Sequence, residues 1–334
     1  MIVDIALFIV GLVFILVAGE LFTNSVEAIG DKLNLSTNFT GSVLAAVGTA
    51  MPETILPIIA ILFFAKSGHD IGVGAILGAP FMLATLAFPI IGLTIILAFL
   101  LKKRPLTIHI EENGLRRDLS FFLFAYTVAL FIVPFENSGV KILTAVFLFA
   151  LYVFYVYLTL TSESDDMEEV EHLYFAPKSK NPSLYIMIFQ LVSSLILMIV
   201  GAHIFVKGIE HISLSFGFSP LLFSLLVAPI ATELPEKINS VIWVLRGKDS
   251  LAVGNISGAM VFQSTIPVSF GILFTQWDIG GLALISGIFA IVAASFVLTL
   301  SFAGRKLIPI GLSLGIIFYI TYIIMVISSK ELSA

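Results

Sequence analysis

The chain has 334 residues, of which 59% are hydrophobic and 12% charged, with a formal net charge of −5. A soluble domain carries about 25% charged residues, so a water-surrounded globule is excluded, and without a basic excess nucleic acid is not an expected partner. Cysteine is absent, which removes disulfides, thiolate metal sites and cysteine nucleophiles together.

Apolar runs fall at 3–29, 38–65, 71–100, 119–135, 139–161, 184–212, 220–245, 251–275, 280–303 and 307–328. Each is longer than a strand and barrel alternation is lacking. The expectation is therefore an all-α integral membrane protein with ten transmembrane helices. The first run carries Asp4 and has no basic n-region, so it reads as a span and not as a cleaved signal peptide.

Cations set the expected orientation. One set of alternate loops holds Lys32, Lys102, Lys103, Arg104, Arg116, Arg117, Lys178, Lys180, Arg246, Lys248, Arg305 and Lys306, whereas the other holds Lys66, Lys141 and Lys330. By the positive-inside rule the first set is cytosolic and both termini face outward across the cell membrane. The acidic stretch over 162–183, with Glu163, Asp165, Asp166, Glu168, Glu169 and Glu171, reads as a solvated cytosolic linker. It lacks the glycine-centred spacing of a calcium loop.

The two halves repeat. A shift of 183 positions places Phe22 on Phe205, Glu27 on Glu210, Thr49 on Thr232, Pro52 on Pro235 and Glu53 on Glu236 without a gap. Residues 1–161 and 184–334 thus form two repeats of five spans each. An odd number makes the second enter the membrane from the opposite side, so the repeats are expected to be inverted.

Each repeat places a proline and a carboxylate inside an apolar run, as Gly48-Thr49-Ala50-Met51-Pro52-Glu53 and Ala231-Thr232-Glu233-Leu234-Pro235-Glu236. Proline removes a donor and clashes with the preceding turn. Both helices are expected to bend there, freeing the carbonyls of Gly48 and Ala231. Glu53 and Glu236 are costly at membrane depth unless protonated, paired or bound to a cation. Inverted repeats bring such broken helices together at the midplane. There, carboxylates, freed carbonyls and the hydroxyls of Thr49 and Thr232 make an all-oxygen cage suited to a hard cation such as Ca²⁺.

With these motifs the chain resembles the calcium/cation antiporter superfamily, the membrane region of sodium/calcium exchangers. That family carries a Gly-Thr-Ser-x-Pro-Glu type motif on its second and seventh helices and Gly-Asn-x-x-Gly-Ser-Asn/Asp on the following ones. The latter correspond here to Gly74-Ala75-Ile76-Leu77-Gly78-Ala79-Pro80 and Gly254-Asn255-Ile256-Ser257-Gly258-Ala259-Met260. The resemblance implies that Glu53 and Glu236 are calcium ligands, that Thr49 and Thr232 add oxygen, and that Asn255 stands at the motif's asparagine. It implies exchange of Ca²⁺ for Na⁺ by alternating access. Ala50 and Glu233 replace motif serines and Ala79-Pro80 and Ala259-Met260 replace the polar pairs, which removes sodium-site oxygens. Glu233 adds an acid instead, and a proton needs only a carboxylate, so H⁺ is the alternative counter-ion. Lys237, four residues on, lies on the same helical face and can neutralise Glu233.

Glycines 74, 78, 254 and 258 read as close-packing positions, Ser257 and Gln263 as cross-helix hydrogen-bonding groups, and His203, Lys207, Glu210 and His211 as interfacial ion-pairing residues. Neither a His-Glu-x-x-His pair nor a nucleophile elbow occurs, so an intramembrane enzyme is not expected. A passive channel would need a wider polar path. No cofactor and no obligate protein partner is expected; the partners are inorganic cations and the lipid bilayer.

Overall fold

Long apolar segments with no water to satisfy their backbone close their hydrogen bonds internally, and the described residues are mostly helical. The computed structural model describes residues 2–33, 50–64, 66–160, 172–179, 182–303 and 307–329. In chain order the helices are α1 (Ile2–Lys32), α2 (Met51–Phe63), α3 (Lys66–Met82), α4 (Phe88–Leu100), α5 (Glu112–Phe131), α6 (Ser138–Leu160) and α7 (Leu184–Ser215). They continue as α8 (Pro220–Thr232), α9 (Leu234–Leu245), α10 (Asp249–Phe274), α11 (Gly281–Leu300), α12 (Leu307–Leu314) and α13 (Ile316–Ser328). Among the described residues, seven helical stretches are long and apolar enough to cross a membrane.

Three departures from the expected spans have physical causes. At the motif prolines the chain does not bend within a helix: the run at 220–245 breaks at Glu233 and resumes as α9, and within the run at 38–65 the described helix starts at Met51. Pro52 and Pro235 stand in the first turn of α2 and α9, where a missing N–H costs nothing and the fixed φ favours helix. The fourth span begins at Glu112 and not at 119, drawing Arg116, Arg117 and Asp118 into helix. Those charges are tolerated because each has partners. Arg116 meets Glu112 at 2.8 Å, and Asp118 receives the Ser257 hydroxyl at 2.7 Å and the Tyr155 hydroxyl at 3.1 Å beside Arg117. In the third span, a π turn over Leu83–Ala87 joins α3 to α4, with the Phe88 N–H reaching back to the Leu83 carbonyl. Pro89 follows immediately and lacks the donor that a regular helix needs.

The main core gathers Ile76, Leu77 and Phe81 of α3 with Phe122 and Tyr126 of α5, Met260 and Val261 of α10, and Ala290 of α11. Outside it, α1 and α7 lie along each other. Glycines make their approach possible: a Cβ at Gly11 would strike the Phe205 backbone, at Gly201 the Phe14–Ile15 segment, and at Gly208 the Phe8 backbone. Such small-residue contacts let helix backbones meet in lipid, where packing supplies what hydrophobicity cannot. At one end, Asp4 and His211 pair at 2.9 Å and Glu210 accepts a hydrogen bond from Ser67, in keeping with interfacial ion pairing.

Polar clamps fix the loops. Buried Asp249 is held by a two-pronged contact from Arg104 (2.8 and 2.7 Å) and by the His109 amide at 3.0 Å. Residues 172–179, the part of the linker that follows its acidic residues, are stapled to α1 and α7 together. Buried Asn24 receives the Tyr174 amide, buried Gln190 receives the Phe175 amide, and Gln190 Nε2 donates to Asn24 Oδ1 and the Leu21 carbonyl, each at 3.0 Å.

Candidate cation site

The site is assembled where α2 begins and α8 ends. The Glu53 carboxyl, on the third residue of α2, is 6% exposed. An acid in a first helical turn faces the positive end of the helix dipole and its unbonded N–H groups. At the other wall, α8 stops at Thr232, and the chain turns through Glu233 at φ −95 and ψ 9 before α9 starts. Pro235 has no N–H for the Ala231 carbonyl four residues back, so that oxygen is left for another partner.

A small cavity with room for about one water-sized sphere opens between these ends. It is lined by Glu53, Leu56 and Pro57 of α2, Ala75 and Ala79 of α3, and Ala228, Pro229 and Thr232 of α8. The Thr232 hydroxyl donates to the Ala228 carbonyl at 3.2 Å, which occupies its proton and leaves its oxygen lone pairs for a cation. Glu53 from one half of the chain and Thr232 from the other thus meet on one small space.

Glycine sets the width of that space. A Cβ on Gly74 would collide with the Leu221 carbonyl, and one on Gly78 with the Leu225 carbonyl and the Pro229 ring. Ser224 of α8 donates to the Ile71 carbonyl of α3 at 2.7 Å. α3 and α8 therefore touch backbone to backbone, as the sequence suggested for these two glycines. Among the described residues, a Cβ on Gly254 meets nothing within 4 Å, and one on Gly258 meets only the Tyr155 hydroxyl at 3.7 Å.

The other predicted residues are distributed around this space. Glu233 does not line the cavity. It is 1% exposed, and its Oε2 pairs with Lys237 Nζ at 3.0 Å while its Oε1 accepts from Gln263 Nε2 at 3.4 Å. Lys237 also donates to the Pro229 carbonyl at 3.4 Å. Ser257 bonds across to Asp118. Asn255 is half-buried on α10 and is not among the lining residues. Gly48 and Thr49 lie outside the described residues; Ala231 and Glu236 are described as helix backbone only. Gln263 of α10, read from the sequence as a cross-helix hydrogen-bonding group, is one: it reaches Glu233 of the motif, a partner 30 residues away that its local sequence does not name.

The family model described as sodium/calcium exchanger protein matches residues 3–161 and 186–329. The chain belongs to this exchanger family. Among its relatives, a putative antiporter CaxA from Alkalimonas amylolytica is 28% identical over 295 residues, covering 87% of each chain. An inner membrane protein YrbG from Escherichia coli (strain K12) is 26% identical over 287 residues, 85% of this chain and 83% of that one. Among solved structures, an H⁺/Ca²⁺ exchanger CAX superposes with a TM-score of 0.69 at 17% identity, covering 96% of this chain and 88% of that one. A sodium-calcium exchanger NCX_Mj superposes with a TM-score of 0.59 at 20% identity, covering 98% and 99%. These two likenesses establish a shared fold.

Proposed function

We propose that this family member is a secondary active antiporter that exchanges Ca²⁺ for Na⁺ by alternating access. The observation that carries the reading is the meeting of Glu53 and Thr232, from opposite halves, on one small cavity. In this reading Glu236, the carbonyls of Gly48 and Ala231, Thr49 and Asn255 of α10 complete the oxygen set. A fixed anionic site in low dielectric is costly to leave empty. Ca²⁺ and its counter-ion therefore occupy it in turn, and neither crosses without the other.

The ten spans form two inverted five-helix repeats, 1–161 and 184–334, around the 162–183 linker. Two observations support this. Ala50 (φ −85, ψ 5) and Glu233 (φ −95, ψ 9), related by the 183-residue shift, each precede a helix that starts on the next residue. The shift also maps α1 onto α7, which lie side by side. Both termini face outward and the linker is cytosolic, as the loop cations direct. Gly19 of α1 stands 3.1 Å from the Pro52 ring for a would-be Cβ, so α1 passes the motif at close range and its sliding would uncover the site.

Proton coupling is the second reading, favoured by one observation: α3 contributes Ala75 and Ala79 to the cavity, methyl groups with no oxygen for Na⁺. Reconstitution into proteoliposomes with ⁴⁵Ca²⁺ distinguishes the two. Uptake driven by an outward Na⁺ gradient at uniform pH supports the first reading; uptake driven only by a proton gradient supports the second. No uptake under either gradient refutes exchange.

A further inference from the structure

The exchange motif of the second half contains a cation of its own. Lys237 is 7% and Glu233 1% exposed, and the ammonium lies 3.0 Å from the carboxylate. The same Nζ bonds the carbonyl of Pro229, a residue that also lines the cavity with Glu53 and Thr232. Gln263 holds the other Glu233 oxygen. The ammonium is thus tethered to a residue of the cavity wall, and separating the buried pair would strand a charge in low dielectric. We infer that Lys237 is a resident, untransported cation of the exchange site, which cancels Glu233 and fixes the exchange at two monovalent cations per Ca²⁺ with no net charge moved.

The inference rests on the exchange reading above and follows from charge balance. Glu53, Glu233 and Glu236 bring three negative charges to the motif pair, and Lys237 removes one. Two remain. In a medium where uncompensated charge is expensive, one Ca²⁺ or two monovalent cations neutralise them equally well, and each exchange carries equal charge in both directions. Without the ammonium, three acids would take a third monovalent cation. Without Glu233, the site would hold one net negative charge and release one monovalent cation per Ca²⁺.

The test measures steady-state Ca²⁺ accumulation by the full-length protein in proteoliposomes, with the counter-ion gradient fixed and the membrane potential set by K⁺ and valinomycin. Wild-type accumulation should not change with potential. A cycle that moves one net charge would shift the accumulation ratio about fifty-fold per 100 mV. Lys237→Met should make an inside-negative potential oppose Ca²⁺ accumulation, Glu233→Gln should make the same potential favour it, and the double variant should return to potential independence, whatever its rate. A pair that only holds the helices together predicts none of these opposite signs. If Lys237→Met does not fold, wild type and Glu233→Gln carry the test. Ca²⁺ accumulation by the wild type that follows the potential overturns the inference and leaves exchange standing. The same holds if the single variants keep wild-type independence. Absence of gradient-driven uptake by the wild type overturns both.

Discussion

Gly78 of α3 is packed against the Leu225 carbonyl of α8, leaving no room for a Cβ. The contact fixes how far the wall carrying Ala75 and Ala79 stands from the wall carrying Thr232. Gly78→Ala must push the two helices apart or be refused, and overpacking of this kind costs about 1–3 kcal/mol. The expected result is a lower unfolding temperature in detergent and reduced Ca²⁺ uptake. Gly280→Ala, where a Cβ meets nothing within 4 Å and φ is −124, should match wild type in both. Equal stability of Gly78→Ala and wild type would contradict the backbone contact.

Glu53→Gln removes a full charge from the cavity wall while keeping the side chain's size. Uptake of Ca²⁺ should fall to the level of protein-free vesicles, and Glu236→Gln should do the same. Folding should persist, since a buried amide is cheaper than a buried carboxylate, so elution and melting of the purified variants are the accompanying measurements. Wild-type uptake by both would place the site elsewhere.

Arg104 has a different kind of importance. Its guanidinium holds both oxygens of Asp249, which is 1% exposed, and stripping one partner from a buried pair costs about 3–5 kcal/mol. Arg104→Ala should therefore lower stability sharply, and Arg104→Lys should rescue it only in part, because an ammonium cannot replace the planar two-pronged contact. Arg104→Ala/Asp249→Ala should recover much of the loss. Additive single and double effects in thermal unfolding would show that the pair contributes nothing.

Because the chain has no cysteine, topology is testable by single introduced thiols. Exposed Asn137, between α5 and α6, and exposed Ser250, at the start of α10, lie at helix ends assigned to opposite sides. Asn137→Cys should react with an impermeant maleimide on intact cells, and Ser250→Cys only after permeabilisation. Reversed labelling would invert the charge-derived orientation.

The helical class and the proline-acid motifs were legible because each rests on local chemistry: an apolar run needs lipid, and a carboxylate inside one needs a cation, a proton or a partner. The Glu233–Lys237 pair was legible from its four-residue spacing. What remained hidden depends on distant partners. Asp118 sits among Arg116 and Arg117, and apolar-run reading stops at charge; that Ser257 and Tyr155 make this charge tolerable inside α5 is visible only once α6 and α10 are packed. Gln263 was legible as a cross-helix hydrogen-bonding group, but its partner Glu233 was hidden for the same reason. The π turn at Leu83–Ala87 left a trace in Pro89, but one proline does not distinguish a widened turn from a kink.

The staple made by Asn24, Gln190 and residues 172–179 has a further consequence for how the two halves recognise each other. Residues on the second side of the acidic stretch hold the end of α1 through several hydrogen bonds, and glycine-lined faces of α1 and α7 mesh along their length. Adhesion between the halves is therefore written into their surfaces, and covalent continuity through 162–171 is not what joins them. Encoded as two separate polypeptides broken within that stretch, they should find one another in the membrane and co-purify as a functional pair, with the second fragment bringing its own clasp.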